Sequence, residues 1–207
     1  MSNYMRRIEA RLASLSQASE LTMATKEWEF CGHVRDLGGA DGNCELCEKS
    51  GVRYHFKISN AQTQHSLQVG SKCIERFELR VIDRNGKEVP ASKKTSHLEG
   101  QKRGARVERI LLILAELGMK VQSLKNLAQH YRKHSGFSPN QMVLAEWQLT
   151  KLDVSYALKD FTILLKRKDY QKQLKNMELW KLRKIWPALS GPQETIVRGW
   201  RKDGAWI

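Results

Sequence analysis

Four cysteines, Cys31, Cys44, Cys47 and Cys73, fall within one stretch of the 207-residue chain and constrain the fold more than any other feature. Twelve residues separate Cys31 from Cys44, two separate Cys44 from Cys47, and twenty-five lie between Cys47 and Cys73. The two-residue spacing in Gly42-Asn43-Cys44-Glu45-Leu46-Cys47 lets both sulfurs turn toward one ion while backbone N–H groups point at them. Between Cys47 and Cys73 the run Val52–Ile58 alternates apolar and polar residues, and Ser59–His65 reads as a polar turn. Ser66–Val69 returns as the second strand. Gly70-Ser71 then breaks it, and Ser71 is expected to N-cap a helix carrying Cys73 in its first turn.

A two-cysteine knuckle, a hairpin and a helix opening on a cysteine together have the outline of a treble-clef-like zinc module. The helix offers one ligand rather than two, because Phe77 stands where a second would fall. Cys31 is therefore expected to complete a four-thiolate shell with Cys44, Cys47 and Cys73 around one structural Zn²⁺, with His33, His55 or His65 as the fallback. Free buried thiols and disulfides are the competing readings. A CxxC with two further cysteines and no signal-peptide h-region favours metal and a cytoplasmic location.

The same stretch resembles a zinc-binding segment of uncharacterised bacterial and phage proteins. The resemblance rests on Glu27-Trp28-Glu29 with Gly32, Cys44-Glu45-Leu46-Cys47, Arg53-Tyr54-His55-Phe56 with Ile58 and Asn60, and Val69-Gly70-Ser71-x-Cys73-Ile74-x-x-Phe77. It covers about fifty residues. It implies a metal site and carries no activity with it.

Net charge is +14, and the excess is uneven. Residues 1–96 hold 15 Lys and Arg against 12 Asp and Glu, whereas residues 97–207 hold 21 against 10. A basic surface of this kind points to a polyanion, and nucleic acid is the commonest. No apolar run approaches the roughly 20 residues that span a bilayer, so no membrane partner is expected.

The pattern predicts an α+β chain, a treble-clef-like zinc module followed by an all-helical basic domain. Residues 1–22 are expected to form an amphipathic helix with Ile8, Leu12 and Leu15 inward, 23–86 the zinc module, 87–104 a basic linker, and 105–207 the helical domain. In that domain Val107, Ile110, Leu111, Leu114 and Leu117 form one stripe, ended by Gly118 as a C′ residue. Val121, Leu124, Leu127, Ala128 and Tyr131 form the next. Ser138-Pro139-Asn140-Gln141 is a capping box, and Ser190-Gly191-Pro192-Gln193 repeats it. Phe161, Leu164 and Leu165 are expected to open a helix continuing through Tyr170, Leu174 and Met177.

Two clusters are the candidate nucleic-acid surface. One is Lys166, Arg167, Lys168, Lys172 and Lys175, with Lys168, Lys172 and Lys175 on one helical face. The other is Lys181, Arg183, Lys184, Arg198 and Arg201, interleaved with Trp180, Trp186, Trp200 and Trp206. Cations beside aromatics suit the phosphates and bases of DNA or RNA. Lys93, Lys94, Lys102, Arg103, Arg106 and Arg109 form a third basic patch.

Catalytic patterns are lacking. Gly38-Gly39-Ala40-Asp41-Gly42 has neither the Gly-Lys-Ser/Thr ending nor the helix start of a phosphate-binding loop. Asp36/Asp41 and Asp153/Asp160 have no spacing that demands paired carboxylates. His130 and His134, at i and i+4, read as surface. The expectation is a non-enzymatic, zinc-containing nucleic-acid-binding protein. The alternative is an adaptor, inhibitor or accessory subunit docking on a larger nucleic-acid-processing protein.

Overall fold

The computed structural model describes residues 3–118, 122–152 and 154–200. The chain forms two compact units, residues 1–106 and 107–207.

The first unit opens with helix α1 (Asn3–Ser14), whose Ile8 and Leu12 are fully buried, as the spacing predicts. A short helix α2 (Leu21–Ala24) follows, anchored by buried Ala24, so the helix expected over residues 1–22 ends at Ser14 and a second one starts at Leu21. Strand β1 (Trp28–Asp36) comes next, then the short ribbon strands β2 (Gly42–Asn43) and β3 (Ser50–Val52). The hairpin strands are β4 (Tyr54–Asn60) and β5 (Ser66–Val69), and they lead into helix α3 (Ser71–Arg76) and strand β6 (Arg80–Val81). Sheet order is β5-β4-β1-β6, with β1 antiparallel to β4 and parallel to β6. The predicted alternation sets the register: Phe56 faces Val69, Ile58 faces Leu67, and all four are buried. Phe30 meets Phe56 edge to face at 5.2 Å between centroids, an aromatic pairing that adds to area burial.

Buried Asn60 ties three segments together. Its Oδ1 accepts the N–H groups of Gln62 and Thr63 and shapes the hairpin turn, while its Nδ2 donates to Glu27 at 2.7 Å. The Glu27 carboxylate also accepts from the N–H groups of Gln17 and Ala18. Desolvation raises its pKa, but the bonds from Ala18, Asn60 and Gln17 outweigh that and leave it below the ordinary carboxylate value.

Residues 87–104, expected as a linker, are largely helical. Helix α4 (Ala91–Leu117) starts just after Pro90, where a missing N–H costs nothing, and Leu98 is buried in the core of the first unit. The composition read as linker is the solvated face of this helix.

The second unit is helical, as expected. Its core gathers Val107, Ile110, Leu111 and Leu114 of α4, then Leu124, Leu127, Ala128 and Tyr131 of α5 (Gln122–His134). Helix α6 (Pro139–Thr150) adds Met142, Ala145 and Leu149, and its Ser138/Gln141 capping box is complete. Helices α7 (Lys168–Lys175), α8 (Leu179–Ile185) and α9 (Gly191–Trp200) follow. Ser190 donates its N–H to Gln193 Oε1 at 2.9 Å, one half of the second predicted box.

Three local expectations are corrected. Gly118 is not among the left-handed glycines; a Cβ there would strike the backbone of Lys125, so close approach is what requires it. Ser71 is the first helical residue of α3, with Gly70 at the cap. Residues 161–167 are not helical: Phe137 N–H donates to the Thr162 carbonyl and Leu164 N–H to the Phe137 carbonyl. Those lateral bonds draw Phe161–Leu164 into a bridge with period-two burial. The helix therefore begins only at Lys168. Among the described residues no helix is long and apolar enough to cross a membrane.

Glycine substitutions separate open positions from filled ones. Gly100 and Gly104 lie inside α4 with nothing within 4 Å of an added Cβ. Each Gly→Ala change should raise stability by about 0.5–1 kcal/mol in urea unfolding. A Cβ on Gly42 would come within 2.6 Å of the Val52 carbonyl, and Gly42→Ala should cost about 1–3 kcal/mol.

Glu27 supplies a pH test. Its folded-state pKa is lowered, so its contribution is present above the unfolded value and lost as pH falls through the folded one. Glu27→Gln should be less stable than wild type near neutrality, with the gap closing in acid unfolding series.

Candidate metal centre

Cys44 and Cys47 sit in the loop between β2 and β3. Cys44 N–H donates to the Lys49 carbonyl and Glu48 N–H to the Cys44 carbonyl, while Glu48 takes a left-handed φ of 57°. This tight knuckle is tied to the hairpin by Glu45, whose N–H donates to the Gln68 carbonyl and whose carboxylate accepts the Gln68 N–H. Cys73 stands in the first turn of α3, as predicted.

The ligand atoms of Cys44, Cys47 and Cys73 all lie within 4.8 Å of one another, and the three can hold a metal ion. Cys44 and Cys73 sulfurs are 3.6 Å apart. Thiolates about 2.3 Å from a tetrahedral ion stand roughly 3.8 Å apart, so the Cys44–Cys73 spacing is close to that of a coordinated pair. Cys44 and Cys73 are buried and Cys47 is half-buried. Gly70 donates its N–H to Cys44 Sγ at 3.4 Å.

The electrostatics ask for a cation. The bond from Cys73 holds the Cys44 thiol down at about 5, against desolvation and with help from the N–H groups of Gly70, Cys47 and Leu46. That contact, with desolvation and the neighbouring Cys47, pushes Cys73 up. Neighbouring thiolates repel one another, and a bound metal deprotonates its thiols.

The fourth ligand expected from Cys31 is not in this group. On β1 Trp28 and Phe30 face the core, so strand alternation leaves Cys31 exposed; Gly32, at φ 89°, and a register shift between Phe30 and Val34 follow it. Its thiol donates to Glu29 at 3.4 Å. Desolvation, then the Glu29 carboxylate, keep it above the ordinary thiol range. His33 and His65 are exposed. His55 Nε2 is buried with no hydrogen-bond partner among the described residues, and it too lies outside the three-sulfur group.

The predicted basic residues divide by environment. Lys166, Arg167, Lys168, Lys172 and Lys175 are all exposed, the last three along one face of α7. Arg167 pairs with Asp169 at 3.3 Å. Lys181 pairs with Glu178 at 3.0 Å and lies over the Trp180 ring; Lys184 is 3.5 Å from Glu146. Arg183 is exposed, and Arg198 covers the half-buried Trp186. Arg201 and Trp206, like Val121 and Asp153, lie outside the described residues. In the third patch Lys94 donates to the Leu79 carbonyl, Arg106 to Tyr54 Oη and Arg109 to the Ser155 carbonyl, which gives these cations structural work. Sequence reasoning missed exposed Trp147, capped by Lys151 at 3.2 Å from its ring centroid; their i, i+4 spacing was the available signal.

Metal occupancy should follow this grouping. Cys44→Ser, Cys47→Ser and Cys73→Ser should each lose most of the bound metal in elemental analysis after desalting, whereas Cys31→Ser should keep the wild-type stoichiometry. Equal loss in the Cys31 variant would restore it as a ligand.

Comparisons of the chain with protein-family models, with curated proteins and with solved structures return no match.

Proposed function

We propose that the protein is a non-enzymatic nucleic-acid-binding protein whose first unit is a treble-clef-like module pinned by one zinc ion. In this reading phosphate contacts come mainly from the second unit. Knuckle, hairpin and cysteine-bearing helix support the module. All-sulfur donors with no carboxylate among them favour zinc over magnesium or calcium. Zinc binding would supply folding free energy by joining the knuckle to α3.

The observation that carries the nucleic-acid reading is the face of α7. Lys168, Lys172 and Lys175 stand exposed in one row, opposite buried Leu174, with Lys166 and Arg167 just before the helix. The pairs Arg167–Asp169 and Lys181–Glu178 are solvent-exposed, so exchanging a carboxylate for a phosphate costs little. Trp180 and Trp147, 56% and 47% exposed, offer ring faces beside Lys181 and Lys151 for stacking. Counted by the two compact units, Lys and Arg number 18 in each, against 13 acidic residues in the first and 9 in the second. The excess is therefore shared more evenly than the division at residue 96 suggests, and the local row supports the reading better than the total does.

Each phosphate contact releases condensed counterions, so log affinity should fall with log salt by about 0.7–0.9 per contact. Changing Lys168, Lys172 and Lys175 together to Ala should flatten that slope by about two or three units and weaken binding to all sequences alike. Folding should be unmoved, since surface changes usually stay within about 0.5 kcal/mol. A triple variant that binds nucleic acid like wild type but loses a protein partner would replace this reading with the adaptor.

A further inference from the structure

The three sulfurs line a surface cavity of about 290 Å³, and its other walls include Lys49, Arg53, Lys72 and Ser71. No carboxylate lines it among the described residues. Arg53 is matched by Asp36, which accepts its Nε at 2.8 Å and its Nη2 at 3.1 Å. Lys49 and Lys72 are exposed and form no ion pair among the described residues. A divalent ion with three thiolates carries one net negative charge, which these two ammonium groups outweigh. A volume of this size is at the lower limit for small-molecule pockets and suits one compact group.

A structural zinc site closes with four protein ligands, whereas a site with three keeps a position for an outside ligand. We infer that a metal ion held by Cys44, Cys47 and Cys73 turns its fourth coordination position into this cavity, where it takes a small oxyanion, a phosphate or carboxylate group, steadied by Lys49 and Lys72. The inference rests on the metal reading above. It makes the centre a binding site as well as a staple. Ser71 stands two residues before Cys73 on the same wall, so Ser71→Cys offers a fourth thiolate that would shut the position.

The test uses full-length protein loaded with Co²⁺ in place of zinc, read by its visible absorption, which reports the number of sulfur ligands and any change of donor. Wild type and Cys31→Ser should show the same three-thiolate spectrum. Inorganic phosphate, or a short oligonucleotide in a parallel titration, should shift the bands. A response to phosphate identifies a free oxyanion as sufficient, and a response to the oligonucleotide alone assigns the oxyanion to the nucleic-acid backbone. Ser71→Cys should gain sulfur-to-cobalt intensity and lose the response. Lys49→Ala with Lys72→Ala should keep the spectrum and bind the responding probe at least tenfold more weakly. Cobalt uptake with a spectrum that neither probe moves, or a wild-type four-thiolate spectrum that drops in Cys31→Ser, would overturn the open position and leave the metal reading standing. Failure to take up cobalt or zinc would overturn both.

Discussion

The contact between the Cys44 and Cys73 sulfurs is the interaction on which the first unit depends. It joins a loop whose backbone is folded on itself to a helix that makes only a turn and a half, and neither element is long enough to persist alone. The knuckle is also tied by the Glu45–Gln68 pair, the Gly70 N–H on Cys44 Sγ, the exposed Arg7–Glu48 pair and the bonded ribbon around Gly42. Three crowded thiols are a poor cross-link while protonated. Replacing their protons with one divalent ion turns that crowding into coordination.

Around that centre the protein uses ordinary means. The sheet closes on apolar residues at alternate positions, Asn60 and Glu27 satisfy backbone N–H groups at its edge, and Asp36 and Arg53 pair beside the knuckle. The Asp36 side chain is fully buried while Arg53 remains partly exposed, so the pair fixes geometry more than it adds stability. In the second unit the aromatic cluster of Tyr131, Phe137 and Phe161 holds α5 against the segment ahead of α7. That packing fixes where α7 can start, and hence which lysines share its exposed face.

What could be read from the residues was whatever local periodicity or spacing encodes. The hairpin, Cys73 in the first turn of α3, the docked face of α1 and the Ser138 capping box all follow from patterns spanning a few residues. The misreadings involve tertiary choices. Residues 161–167 carry helix-compatible apolar spacing, and only the distant Phe137 backbone draws them into a bridge. Proline, serine and lysine over residues 88–96 suggested a linker across 87–104, yet Leu98 gives that stretch a buried anchor. Cys31 counted as a ligand because four cysteines make a complete tetrahedron. Strand alternation, visible in Trp28 and Phe30, already argued that it faces away from the core.

The central claim is a metal ion held by three sulfurs, with its fourth donor supplied from outside the cysteines. X-ray absorption on the zinc-loaded protein measures this directly, since sulfur and lighter donors scatter at different distances. The account predicts three sulfurs at about 2.3 Å and one oxygen or nitrogen near 2.0 Å. Four sulfurs at a single distance would contradict it.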